Sequence, residues 1–330
     1  MPQQRAFRIH NDDTGYHAGV ETIDIPAPAD GEVLIRVEYS GINYKDALAG
    51  TGKGKVVKTF PLTGGIEAAG IVEQSRHQRY KPGDAVIATG WGMAFDHDGG
   101  YAEYLCVPAD WLVPMPEGLD TRTAMIHGTA GFTAALAVYR MLVNGQTPDM
   151  GPVLVTGASG GVGSIAIAIL ARLGFEVAAV SGKADLHGWL ERLGAGRIVG
   201  RDELPGGDRP LEKAVWGGAI DNVGGAMLAR ITRTVGPYGN IASIGLAGGT
   251  ALETTVMPFI LRGVSLLGIH SVDIPYDQRV KVWQHLASDW APADLDLILA
   301  SCIALEALPE TFERMLAGGT HGRVLVQPTV

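Results

Sequence analysis

Apolar residues in the first third of the chain fall in short runs rather than along extended faces. Val33–Val37, Ala69–Val72, Ala85–Ala88 and Tyr101–Val107 are each cut off by glycine, proline or charged residues. Short β-rich runs with such punctuation predict strands, and from Arg5 to about Arg122 they add up to an all-β, barrel-like domain. The pattern changes at Thr121. Thr123–Leu142 is alanine-rich and helical in character, and Pro152-Val-Leu-Val-Thr-Gly is an apolar strand entering glycines. Further apolar runs at Phe175–Val180, Arg197–Gly200, Ala219–Val223, Ile241–Ile244 and Val264–Ile269 alternate with mostly helical segments. That alternation predicts a doubly wound parallel sheet. Beyond Ser271, helical stretches at Arg279–Ser288 and Pro309–Leu316 precede Gly322-Arg-Val-Leu-Val, a strand suited to return to the first domain. The expected boundaries are therefore 1–122 with 300–330 for the β domain, and 123–299 for an inserted α/β domain. No internal repeat is visible.

Composition narrows the function classes. Hydrophobic residues are 46% and charged residues 18% of 330, enough apolar surface for two cores and too much for a disordered chain. Against 26 Lys+Arg stand 35 Asp+Glu, a net charge of −9 without a long basic tract, which argues against a nucleic-acid partner. The first fifteen residues carry no apolar signal segment, and the purest apolar runs, such as Ile165–Ala171, are far shorter than the roughly 18 residues of a membrane span. Cys106 and Cys302 allow one disulfide at most. A soluble, cytoplasmic protein is expected.

The strongest motif is Val153-Leu-Val-Thr-Gly-Ala-Ser-Gly-Gly-Val-Gly-Ser164. A strand runs into a glycine turn and then a helix, whose N-terminal N–H groups and dipole suit a pyrophosphate. Where an NAD site usually has an acid, after the second strand, Ser181-Gly182-Lys183 stands instead, and Arg201 follows the third strand. A hydroxyl and cations suit a ribose 2′-phosphate, so NADPH is the expected cofactor. Asp185 is the one acid nearby.

The same chain carries Asn43-Tyr-Lys-Asp-Ala-Leu-Ala, Thr51-Gly-Lys-Gly-Lys, Thr89-Gly-Trp-Gly, Gly128-Thr-Ala-Gly-Phe-Thr-Ala and Gly245-Leu-Ala-Gly-Gly. With the glycine motif these resemble, over nearly the whole chain, the zinc-free medium-chain dehydrogenase/reductases. The particular resemblance is to their NADPH-dependent acryloyl-CoA reductase group, sometimes labelled quinone oxidoreductases. The resemblance implies a GroES-like β domain plus a Rossmann domain. It also implies cofactor contacts from Tyr44, the turn Ser159, Gly160, Gly161 and Val162 with Gly163, then Ser181, Gly182 and Lys183, Arg201, Leu246, Ile260, Ser271 and Arg323. Lys183 stands where the group often has arginine, Asp98 where a tryptophan is expected, and His270 where an acid is expected before Ser271. The last two positions bear on the substrate pocket's lining.

No zinc ligand set is apparent. Tyr44 and Ile66 hold positions where the alcohol-dehydrogenase branch needs thiolate or imidazole, no group of four cysteines exists, and His97, His127 and His270 are far apart in sequence. Without a Lewis acid, reduction of an activated C=C is the natural chemistry: hydride to the β-carbon of an enoyl thioester, enolate charge on the thioester oxygen, and a proton to the α-carbon. Tyr44 is the candidate donor, at the family's cleft position, and a residue that only orients the nicotinamide is the other reading of it. Asp46 and Lys45 either position Tyr44, bind substrate or make structural salt bridges, and Asp46 joins Tyr44 as a candidate catalytic residue. Lys53, Lys55 and Lys58 form a basic patch that suits CoA phosphates or simply faces water. The expected activity is acryloyl-CoA reduction by a homodimer joined along the strand near Val264–Ile269, with quinone reduction or non-catalytic NADPH binding as alternatives.

Overall fold

The computed structural model describes residues 2–329, and the chain divides into two compact units. The first contains the chain through Thr129 together with Val272–Ala287 and a segment from Leu299 onward; the second contains Ala130–Ser271 and Ser288–Ile298. These limits differ from the sequence-drawn ones at 123–129 and 272–287, both of which fold with the β unit. The causes are local. The helix over Thr121–Val143 is broken at Gly128 (φ 51°, ψ −156°), and Arg279 is buried with its guanidinium donating to the carbonyl and hydroxyl of Thr89, both at 2.9 Å.

In the first unit a hairpin of β1 (Gln3–Asp12) and β2 (Gly15–Asp24) is followed by β3 (Glu32–Gly41) and a helix that the sequence pattern did not reveal, α1 (Tyr44–Thr51). Asn43 caps it: the Asp46 carboxylate in the first turn reaches back to the Asn43 N–H at 2.9 Å, which satisfies a donor that would otherwise be orphaned. Then come β4 (Leu62–Thr63), β5 (Glu67–Ser75), β6 (Ala85–Thr89), β7 (Tyr104–Pro108), β8 (Leu112–Pro114) and the broken helix α2 (Thr121–Val143).

The second unit has β9 (Val153–Val155), α3 (Gly161–Arg172), β10 (Val177–Val180), α4 (His187–Arg192), β11 (Arg197–Val199), β12 (Gly218–Asp221), α5 (Gly225–Thr234), β13 (Asn240–Ser243), α6 (Met257–Arg262) and β14 (Ser265–Gly268). All pairings in its six-stranded sheet are parallel, in the order β11-β10-β9-β12-β13-β14. Numbered within the unit this is 3-2-1-4-5-6, the doubly wound Rossmann order, whose direction reverses between β9 and β12. Strands buried on both faces explain the unbroken apolar runs of the sequence. Leu154, Ala178, Val199, Ala219 and Ile241 form the core with Trp216 and Leu228.

The chain returns to the first unit through α7 (Tyr276–Ala287), β15 (Leu299–Ile303), α8 (Leu308–Leu316) and β16 (Arg323–Val326). As expected for Gly322–Val326, β16 joins the first unit's sheet, antiparallel to β3 with Val326 opposite Ser40. That sheet runs β15-β16-β3-β5-β6-β8, with β7 also on β3, and a separate three-stranded sheet runs β2-β1-β4. The amphipathic α8 puts Phe312 into a cluster with Phe7, Ile9, Ile42 and Tyr101, which seats α1 and fixes where Tyr44 emerges.

Candidate active site

In the second unit the predicted nucleotide turn lies at the carboxyl end of β9, next to the β12 end where the strand order reverses. Gly163 is packed so tightly that a Cβ there would strike the Gly157 carbonyl, and Gly157 itself has φ +56°. Only glycine permits this turn. Ser164 N–H bonds Gly160 O at 3.0 Å as α3 begins, so the N–H groups of Gly161, Val162 and Gly163 make up the helix's first turn and face an incoming anion. Beneath them is a network that sequence reading missed. Thr156 Oγ1 donates to Asp221 Oδ1 at 2.7 Å, Gly224 N to Asp221 Oδ2 at 2.7 Å, and Asn222 Nδ2 to Thr156 O at 2.7 Å. Burial pushes the Asp221 carboxyl upward. Asn222 Oδ1 is buried and has no partner among the described residues. The glycine cradle and this orphaned acceptor fit a dinucleotide with hydroxyls to donate.

Ser181, Gly182 and Lys183 follow β10, where the Ser181 hydroxyl accepts the Lys183 N–H at 3.1 Å. Arg201 follows β11, exposed, with its Nε 3.7 Å from where a Gly182 Cβ would stand. The structure thus gathers Ser159–Gly163, Ser181–Lys183 and Arg201 at the carboxyl ends of adjacent strands. Asp185 is exposed in the 3₁₀ turn Ala184–Leu186. Leu246 lies in the turn after β13 beside Gly224, and Ile260 on α6; both are exposed. Ser271 ends the unit's main segment and accepts the Thr133 hydroxyl at 2.8 Å. His270 is exposed.

Tyr44, 47% exposed, opens α1 in the first unit. Asp46, 2% exposed, accepts N–H groups on both sides of it: Asn43 at 2.9 Å and Ile66 at 3.0 Å. Burial, reinforced by the Glu67 charge, raises the Asp46 carboxyl to about 7. Arg323 lies on β16 of the same unit. It is 1% exposed and ion-paired with the equally buried Glu67, and it donates to Ile42 O at 3.0 Å, Asn43 Oδ1 at 3.1 Å and Ile126 O at 3.1 Å. A guanidinium so committed pins the turn that carries Tyr44. Gly41 and Gly128 leave the room, since a Cβ at either would collide with the pair. His127 beside it is fully buried, neither ring nitrogen has a partner among the described residues, and burial together with Arg323 lowers it to about 3. Tyr101 donates to Gly41 O at 3.0 Å, and burial holds its phenol well above the ordinary range.

Asp98, Lys53, Lys58 and Lys45 have partners within the unit. Asp98 accepts Arg8 Nη1 at 2.8 Å and Thr63 N at 2.7 Å, so it pins its loop. Lys53 pairs with Glu313 at 2.6 Å, and Lys58 lies 4.4 Å from the Phe95 ring centre with Lys45 at 5.4 Å. A cavity of 440 Å³ in this unit is lined by Glu32, Thr63, His97, Asp98 and Cys106 among others, but not by Tyr44 or Asp46. Among the described residues one group of three ligand-type side chains converges, His10, Asp12 and His17, which sequence reading passed over.

A Rossmann unit with a nucleotide turn, joined to a β unit that presents a tyrosine beside a buried carboxylate, defines a nicotinamide-dependent oxidoreductase. Residues 29–117 match the alcohol dehydrogenase GroES-like domain and 161–288 the zinc-binding dehydrogenase domain. Acrylyl-CoA reductase AcuI of Ruegeria pomeroyi is 51% identical over 304 residues, 92% of this chain and 91% of that one. The yhdH oxidoreductase of Salmonella enterica, solved with NADP, superposes with a TM-score of 0.94 at 45% identity over 98% of this chain and 99% of that one. The Bacillus subtilis protein yhfP, solved with NAD, gives 0.95 at 43% over 99% and 100%. The chain belongs to the medium-chain dehydrogenase/reductase family, in its acrylyl-CoA reductase branch.

Proposed function

We propose that this chain reduces the C=C bond of short enoyl-CoA thioesters with NADPH, converting acryloyl-CoA to propionyl-CoA. The 51% identity with a named acrylyl-CoA reductase over 92% of the chain carries this reading. The glycine turn at Gly157–Gly163 would hold the pyrophosphate, with Ser181, Lys183 and Arg201 on the 2′-phosphate and Leu246, Ile260 and Ser271 as further contacts. NADPH, when bound, supplies the hydride that adds to the β-carbon. Charge then grows on the thioester oxygen, and the Tyr44 hydroxyl stabilises it or delivers the proton to the α-carbon. Asp46 acts on Tyr44 through the backbone of Asn43 and Ile66, as a positioning residue. Arg323 belongs to the same support.

No metal takes part in this step. Tyr44 and Ile66 supply neither imidazole nor thiolate, and a thioester already stabilises its own enolate. Turnover should therefore survive a chelator. A cytoplasmic location accords with two free cysteines. A homodimer accords with β14, which ends its sheet unpaired on one side with Leu266 exposed; the mass in solution decides it.

The test is a comparison of acceptors. Purified protein with NADPH should reduce acryloyl-CoA with a higher kcat/KM than a benzoquinone, because the CoA body provides binding energy for positioning. Tyr44→Phe should lower kcat by about 10²-fold or more with little change in KM. A benzoquinone preference refutes the substrate, and an effect of Tyr44→Phe on NADPH affinity alone reassigns Tyr44 to cofactor binding.

A further inference from the structure

The β1–β2 hairpin closes through a two-residue turn, with Asp12 opposite Gly15 and His10 opposite His17. Side chains alternate along a strand and cross-strand partners share a face, so His10, Asp12 and His17 project to the same side, away from the Phe7 and Ile9 core. The two imidazoles lie parallel, with centroids 4.8 Å apart and planes 2° from each other. One nitrogen of each and an Asp12 oxygen lie within 4.8 Å of one another. Their outer bonds are already made. Glu21 Oε1 sits 2.6 Å from His10 Nε2, leaving Nδ1 for another partner, while the Thr14 N–H and hydroxyl hold Asp12 Oδ1 at 2.8 and 2.6 Å. Gly15 and Gly19 on the facing strand add no bulk, and the space around them is open.

From this geometry we infer a binding site for a zinc-type divalent cation on the hairpin, ligated by His10, His17 and Asp12 and completed by water. Two imidazoles and a carboxylate are borderline donors that suit Zn²⁺, and a carboxylate behind a ligating histidine, as Glu21 stands behind His10, fixes its tautomer and orientation. Tetrahedral zinc needs its donors about 3.3 Å apart given bonds of about 2.0–2.1 Å. Side-chain rotation closes that distance, since Asp12 and His17 are exposed and His10 partly so. The ion would clip β1 to β2, the edge strand of its sheet. β2 is also the strand whose Tyr16 hydroxyl donates to Ala49 O in α1. The role is structural and independent of the reductase reading.

Zinc chloride titrated calorimetrically into tag-free, chelator-treated protein tests the site. One zinc per chain should bind, and His17→Ala should weaken it at least tenfold, His10→Ala/His17→Ala should abolish it, and Asp12→Asn should weaken it less. Zinc should raise the melting temperature of the native protein and not that of the double variant. NADPH turnover and the metal-free melting temperature of each variant show that it is folded. Zinc binding that persists unchanged in a folded double variant, or no one-to-one binding by the native protein, overturns the inference.

Discussion

The nucleotide turn of the Rossmann unit and the charge cluster around Glu67 are opposite solutions to the handling of charge. At the turn the chain offers backbone N–H groups of Gly161–Gly163 and, after the neighbouring strands, two side-chain cations, with the Asp221 carboxyl tucked beneath, an arrangement suited to an anionic ligand. In the cluster every charge is internal. Glu67 and Arg323 pair with 0% and 1% exposure, Asp46 is buried beside them, and His127 stays neutral. The first arrangement recognises a ligand. The second holds a short stretch, Ile42 to Tyr44, in place through the Arg323 bonds to Ile42 and Asn43.

The largest effect that separates the two belongs to Arg323. If it anchors the cluster, Arg323→Met should cost about 3–5 kcal/mol in chemical denaturation, because Glu67 is left charged and uncompensated. The paired change Glu67→Gln/Arg323→Met should recover much of that loss. An Arg323→Met protein of native stability but weakened NADPH affinity would instead return Arg323 to the cofactor site.

The cluster also makes a pH prediction. Folding holds a proton on Asp46 up to about 7, where the unfolded chain loses it near 3.8, so this group's contribution to stability falls as pH rises through that window. His127 works the other way. Its folded value of about 3 lies below 6.5, so the unfolded chain takes the proton first and stability falls as pH drops. Between roughly pH 4 and 6.5 the two slopes, each at most about 1.4 kcal/mol per pH unit, oppose each other. Compared with the native protein by urea denaturation at pH 4.5 and 6.5, Asp46→Asn should gain stability with rising pH and His127→Gln should lose it. Parallel profiles for all three proteins would mean that neither group is perturbed as described.

Sequence made the turn legible because its parts are local: Val153–Ser164 contains strand, glycines and helix start in one stretch, and the parallel strands announce themselves as apolar runs. The cluster is assembled from Gly41, Asp46, Glu67, Tyr101, His127 and Arg323, brought together only by the pairing of β16 with β3 and the kink at Gly128. No periodicity reports that. Asp46 could be singled out by its place after Tyr44, yet its capping of Asn43 and Ile66 could not. Likewise Arg323, in a run that reads simply as a strand, gave no sign of an internal ion pair. The hairpin histidines escaped notice because they stand seven positions apart in sequence and only the strand register makes them neighbours.

The smallest expected effect sharpens the ligand side of the comparison. Lys183 follows β10 with its N–H fixed by the Ser181 hydroxyl, and Arg201 approaches Gly182 from the next strand, so the two cations flank one hydroxyl-bearing turn. A 2′-phosphate there gains charge-assisted hydrogen bonds that a 2′-hydroxyl cannot. Lys183→Ala should therefore raise the KM for NADPH about tenfold, equivalent to about 1.4 kcal/mol, and leave that for NADH almost unchanged. Lysine is a point charge and lacks arginine's planar fork, so Lys183→Arg should keep NADPH binding or tighten it slightly. Steady-state kinetics with both cofactors, at fixed ionic strength because exposed charges are screened, measures the ratio directly. Equal weakening of NADPH and NADH by Lys183→Ala would show that the lysine supports the turn or the pyrophosphate, and discrimination would then rest on Arg201 and Ser181.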